Sequence, residues 1–312
     1  MFSHISLQLN YFLVKHKLKF YSGEWATFAY ILVTTVFLVL NFSKLTSPVF
    51  FIGIRVGLVF LILSLAYVSD IKKEWGFLPT LRQFLPFFFL AYWYSETYNF
   101  AGYLFSNKDV FFSHADQRLF GGQPSLLFSA YLPNSWFSEL MYFGYFSYYL
   151  IAFGVPYQFW RKHKEESNRA VFVVLCAFYL YYLIYIILPV AGPQFFFNGL
   201  SSQVPTGYIF SDLIHYIQFY GEKPTGAFPS SHVGISTVVL VLTYKKARGI
   251  FWRILLLFVV LSFSTVYIKA HYLVDVLAGF ISGIIFYYIT NWLYNTFSHH
   301  FVEDQSDIIS VT

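Results

Sequence analysis

The stretch "GAFPSSHVGISTVVLVLTY", Gly226–Tyr244, places a proline, two serines and a histidine at the head of an apolar run. Pro229 followed by Ser230 and Ser231 is a helix-start signal, because a serine oxygen accepts a hydrogen bond from the free amides of a first turn. Those amides also make a helix N-terminus attractive to an anion, and phosphate is the natural guest. The thirteen residues from His232 to Tyr244 rise only about 20 Å at 1.5 Å per residue, against roughly 30 Å of bilayer hydrocarbon. The spacing predicts a short membrane span with His232 recessed in one leaflet.

Working outward, the whole chain has the composition of a lipid-embedded protein. Its 312 residues are 57% hydrophobic, 24% aromatic and 11% charged, which excludes a water-soluble globule. Trp and Tyr cluster near the ends of apolar runs, where amphipathic rings favour the headgroup zone. Runs long enough to cross fall near 25–42, 48–68, 84–104, 138–158, 170–190, 232–244, 251–268 and 272–294. The expected fold is therefore all-α and integral to the membrane, a multi-pass bundle of about eight helices. The first run lacks a small-residue cleavage site and reads as a retained span. The single cysteine, Cys176, excludes an intrachain disulfide.

Counting Lys and Arg in alternate connections gives an orientation. Lys15, Lys17, Lys19, Lys72, Lys73, Arg82, Arg161, Lys162, Lys164, Arg169, Lys245, Lys246, Arg248 and Arg253 fall on one side; Lys44, Lys108, Arg118, Lys223 and Lys269 fall on the other. The asymmetry predicts that both termini are cytoplasmic. It also accounts for the net charge of +5 without a nucleic-acid partner, since no basic stripe interleaved with stacking aromatics is present.

This topology gathers three segments on the non-cytoplasmic side: "LPVAGPQ" (Leu188–Gln194), "GAFPSSH", and "KAHYLVD" (Lys269–Asp275). A helical hairpin between His232 and His271 brings both imidazoles to one membrane level. His271 and Asp275, four apart, share one helix face, so the carboxylate can hold the imidazole tautomer whose other nitrogen attacks. His232 is then the candidate general acid, and Lys269 can neutralise phosphoryl oxygens. Three other readings remain at this stage: a zinc site built from His232, His271 and Asp275, a proton or ion pathway in a transporter, and a non-catalytic lipid-binding module. Arg55 and Glu96, charges inside the second and third spans, either pair structurally or line a headgroup pocket.

Pro229-Ser230-Ser231-His232 followed by His271-x-x-x-Asp275 resembles the last two signature motifs of the type 2 phosphatidic acid phosphatase superfamily, KxxxxxxRP, PSGH and SRxxxxxHxxxD. The resemblance implies a six-helix phosphatase-like core, a lipid phosphate or phospholipid substrate, no cofactor and no metal. It also implies that His271 is the nucleophile, Asp275 its orienter and His232 the acid, with phosphate held by Ser230, Ser231, Lys269 and Gln194. The sequence departs from the signature at Ser231 for its glycine, at Thr265, after Ser264, for the arginine of SR, and at Tyr185 and Gly192 for the first lysine and arginine. With these departures it is more similar to the inositolphosphotransferase and inositol phosphorylceramide synthase branch, where Gln194 occupies the place of an arginine. "DQRLFGGQPSLLF", Asp116–Phe128, resembles a segment that precedes the catalytic core of that branch, so Asp116 and Arg118 join Arg55 and Glu96 as expected pocket residues. The expected organisation is an N-terminal unit over 1–110 with three spans, a catalytic membrane core over 111–295 and a cytoplasmic tail over 296–312.

Overall fold

The structure, a computed structural model, describes residues 18–72, 75–197, 199 and 204–301. Lys15, Lys17 and Lys73 of the charge count, and tail residues 302–312, lie outside them. In lipid, backbone N–H and C=O groups must be paired within the segment that carries them, so an apolar chain closes its hydrogen bonds in helices. Among the described residues there are helices and turns and no strand. In chain order they are α1 (Ser22–Leu40), α2 (Pro48–Ile71), α3 (Phe77–Phe88), α4 (Leu90–Phe100), α5 (Asp109–Phe120), α6 (Pro124–Tyr131) and α7 (Ser135–Lys162). There follow α8 (Ser167–Ile187), α9 (Pro193–Phe196), α10 (Ile209–Gly221), α11 (Ser231–Lys246), α12 (Arg248–Tyr267) and α13 (Leu273–Phe297).

Among the described residues, five helical segments are long and apolar enough to cross a bilayer: α1, α2, Lys164–Ile187 containing α8, α12 and α13. This is consistent with a multi-pass membrane protein. The other three expected spans differ for identifiable reasons. The run at 84–104 is divided at Phe89 into α3 and α4, of 12 and 11 residues; Pro86 in the last turn of α3 removes a helix donor there. α7 has 28 residues, but serines and tyrosines dilute its apolar character. α11, with 16 residues, is short, in keeping with the rise expected from its sequence.

α8 is the centre of the bundle: 72% of its apolar window is buried, against 22% for the peripheral α2. α11 and α13 meet almost backbone to backbone. A Cβ added to Gly283 would lie 2.5 Å from the Gly234 carbonyl oxygen, and one added to Gly279 would lie 2.5 Å from that of Ser230. This small-residue seam puts the start of α11, with His232, beside the start of α13. The N-terminal helices are braced by ion pairs. Arg55 of α2 donates to both Glu96 oxygens of α4, at 2.6 and 2.9 Å, and Tyr92 adds a third donor at 2.9 Å. Arg82 of α3 donates to both Glu24 oxygens of α1, at 2.8 and 2.7 Å.

Candidate active site

The three segments singled out in the sequence converge, and backbone hydrogen bonds tie them together. Ala227 N donates to Val190 O at 2.9 Å, Gln194 N to Lys269 O at 3.0 Å, and Ser230 N to Asp275 O at 3.0 Å. Gly192 sits at φ 95°, and a Cβ there would lie 2.8 Å from the Ala270 carbonyl oxygen, so close approach and positive φ both require glycine. The Phe228–Pro229 peptide is cis.

At the meeting point the two imidazoles touch, with His232 Nδ1 3.2 Å from His271 Nε2. His271 Nδ1 lies 2.8 Å from the Ala227 carbonyl oxygen. A carbonyl only accepts, so Nδ1 of His271 carries the proton and Nε2 presents its lone pair. The proton between the rings then belongs to His232 Nδ1. The His232 ring itself lies between Tyr145 and Tyr148, at centroid distances of 4.6 and 4.4 Å.

Asp275 contributes differently from the sequence expectation. Its Oδ2 is 3.6 Å from His271 Nδ1, beyond hydrogen-bond length, and accepts instead from the Tyr272 amide at 2.9 Å. The group that fixes the His271 tautomer here is the Ala227 carbonyl, with the Asp275 carboxylate as a nearby charge. His271 lies in the connection between α12 and α13, outside the spanning helices. Burial pushes its pKa down to about 4, while the Ala227 carbonyl and the Glu222 carboxylate act in the opposite direction.

A cavity of about 370 Å³ opens beside the histidines, lined by Ser231, His232 and His271, by Gln194, Glu222 and Lys223, and by tyrosine walls that include Tyr94, Tyr145 and Tyr149. Of the expected phosphate-binding residues, Ser231 and Gln194 line it. Ser230 is buried and caps α11 by accepting from Val233 N. Lys269 is 1% exposed, at φ 65°, and does not line the cavity. None of the four expected pocket residues lines the cavity. Arg55 and Glu96 are consumed by their mutual ion pair, Arg118 is exposed at the end of α5, and Asp116 is buried against the start of α13, where its oxygens accept from Leu273 N and Val274 N.

Several residues at this site escaped the sequence reading. Glu222 accepts from Tyr145 Oη at 2.9 Å, from Gln218 at 3.2 Å and, closely, from the Gln194 amide. Glu139 caps α10 by accepting from the amides of Tyr208, Ile209 and Phe210 at 2.7, 2.9 and 2.8 Å. Asp109 binds the 191–192 turn. Each looks in sequence like an ordinary polar residue at a helix end; the seven-residue spacing of Asp109 and Asp116 is the one signal that could have placed two of them on a shared helix face. Among the described residues, no group of three His, Cys, Asp or Glu side chains is arranged to hold a metal ion.

No curated protein and no solved structure matches the chain. The family described as the PAP2 superfamily matches residues 111–289, more than half of the chain and all of the converging segments, and supports a phosphatase-type enzyme: the chain belongs to the PAP2 superfamily.

Proposed function

We propose that this protein is a metal-independent membrane phosphoesterase that acts on a lipid-linked phosphate ester through a phosphohistidine at His271. The observation that carries the reading is the directed proton arrangement Ala227 C=O, His271, His232, which leaves a lone pair on His271 Nε2 and a proton on the facing His232 nitrogen. In the first step Nε2 attacks phosphorus, the bond from phosphorus to the leaving oxygen breaks, and His232, entering the step as an imidazolium beside the anionic phosphate, gives that oxygen its Nδ1 proton and is left a neutral imidazole. In the second step an acceptor hydroxyl gives its proton to His232 and attacks phosphorus, and the phosphorus–nitrogen bond breaks. An N···P approach of about 3–3.5 Å together with a hydrogen bond to the leaving oxygen does not fit within the resting 3.2 Å separation. Substrate admission therefore parts the two rings.

The acceptor decides between a lipid phosphatase, using water, and a phosphotransferase of the inositolphosphotransferase type, using a lipid hydroxyl. Cavity charge favours the second. Among its described lining residues the only ammonium or guanidinium group is that of Lys223, and Glu222 sets a carboxylate beside it. That balance suits a phosphodiester with one negative charge better than a phosphomonoester, whose second ionisation near pH 6 gives it close to two.

In the membrane, the proposed arrangement has eight crossings, with α3 and α4 as one broken span and with α7 and α11 completing the set around a six-helix core. Both termini are cytoplasmic and the site faces the opposite side, as supported by the basic residues of alternate connections. Residues 111–295 form the catalytic unit; the bilayer and a phospholipid are its partners.

The test follows radiolabelled phosphate from phosphatidate and from phosphatidylinositol, with diacylglycerol and ceramide as acceptors, using purified wild type and His271→Ala. Label moved into a new lipid by wild type alone supports the phosphotransferase, and inorganic phosphate released by wild type alone supports the phosphatase. Ion or solute flux that depends on His271 without any turnover would replace the enzyme with a transporter.

A further inference from the structure

Asp109 and Asp116 are both fully buried, yet neither touches the cavity. They lie seven residues apart on α5, two helical turns, and therefore on one face about 10 Å apart along the axis. Each carboxylate accepts from two consecutive backbone amides of another segment. Asp109 takes Ala191 N at 2.7 Å and Gly192 N at 2.8 Å, and its Oδ1 also accepts from Tyr272 Oη at 3.0 Å. Asp116 takes Leu273 N at 2.9 Å and Val274 N at 3.0 Å.

The Asp116 contacts fill a specific vacancy in the local chemistry. α13 begins at Leu273 after Tyr272, a residue whose side chain makes no capping bond. The first-turn amides of a helix need an outside acceptor, and Asp116 supplies it from another helix. The two amides it holds lie in the chain between His271 and Asp275. Asp109 meanwhile holds the Gly192-Pro193-Gln194 turn, whose Gln194 amide is bonded to Lys269 O, two residues before His271. Bonds from N–H to a carboxylate are charge-assisted and directional, so the face of α5 works as a fixed template for both segments.

We propose that Asp109 and Asp116 are positioning residues: α5 sets the register of His271 and Asp275 against His232, and does so through backbone amides rather than by touching substrate. The proposal rests on the phosphoesterase reading above. Because a displacement of about 1 Å at a reacting centre costs on the order of 100-fold in rate, the role should appear in kcat.

The experiment compares wild type, Asp116→Asn and Asp116→Ala, assayed on the phospholipid that wild type turns over, with rates normalised to folded protein. Expected is a kcat loss of about 100-fold in Asp116→Ala, with KM nearly unchanged, and a smaller loss in Asp116→Asn, whose side-chain carbonyl keeps one acceptor. Amide hydrogen exchange over Leu273–Asp275, measured on Asp116→Asn at unchanged global stability, should be faster than in wild type; it supplies the test if Asp116→Ala fails to fold. An unchanged kcat per folded molecule, or unchanged exchange at these amides, overturns the positioning role while leaving the phosphoesterase reading intact. Absence of turnover in wild type overturns both.

Discussion

The N-terminal helices and the segments that converge at the histidines bury carboxylates in opposite ways. In the former, Glu96 and Glu24 each meet a guanidinium bidentately, Arg55 and Arg82, and the charges cancel where they stand. In the latter, Asp109 and Asp116 meet backbone amides, which fix their positions without neutralising them. The difference teaches what each carboxylate is for. An ion pair inside a bundle is a brace, indifferent to the segment's exact register, whereas an amide-bound carboxylate fixes the course of a particular stretch of chain. The second kind holds the 191–192 turn and the start of α13, next to the segment that carries His271.

Breaking the comparison at its strongest point means removing the lone pair itself. His271→Ala is expected to lower turnover by about a million-fold, the scale seen when a nucleophile is deleted from a cooperating set, with thermal stability little changed; retained turnover in a phosphate-release assay would remove His271 from its role. Next in size is Asp275→Asn. Where a carboxylate alone fixes the tautomer, such a change costs about ten-thousand-fold. Here the Ala227 carbonyl also holds Nδ1–H, so the expected loss in kcat is smaller, about 100- to 1,000-fold.

On the brace side, Glu96→Gln leaves Arg55 buried without its counter-charge and is expected to cost about 3–5 kcal/mol of stability, read as a lowered unfolding temperature, with kcat per folded molecule unchanged. Replacing both partners by apolar residues of similar volume should recover most of that loss. A fall in kcat per folded molecule in the double variant would place this pair in the site after all. The smallest effect is on pH dependence. His271 is held below its ordinary 6.5, at about 4, by burial, so the nucleophile stays neutral through mildly acid conditions. The acid limb of kcat/KM is expected nearer 4 than 6.5. By linkage, a lowered folded-state pKa contributes stability that is complete above 6.5 and is lost as pH falls through about 4. An acid limb at 6.5 would show the ring to be solvated.

The helical class, five of the eight apolar runs and the meeting of the three motif segments were legible in the sequence, because each rests on a local pattern: hydropathy, Pro-Ser-Ser before a helix, or His and Asp four apart. What was not legible depends on contacts between distant residues. Arg55 and Glu96 reveal their charge in sequence, but only the packing of α2 on α4 shows that each satisfies the other. The acceptor for His271 Nδ1 is a backbone carbonyl, and any residue could stand at 227 and supply one. α10 is too short and too mixed in composition to register as a span, and its cap, Glu139, comes from a helix that precedes it by some seventy residues. The break at Phe89 lies inside a run read as one span, although Pro86 is its local mark in the sequence.

The contact between the two imidazoles also decides which ring is chemically exposed when no substrate is bound. The His271 lone pair is occupied by the His232 proton, so the free lone pair of the resting dyad is His232 Nε2. An imidazole-directed acylating reagent is therefore expected to mark His232 before His271, and a ligand that parts the rings is expected to uncover His271. On the proposed mechanism, the resting dyad shields its attacking atom from stray electrophiles in the bilayer, with the proposed general acid as the protecting group.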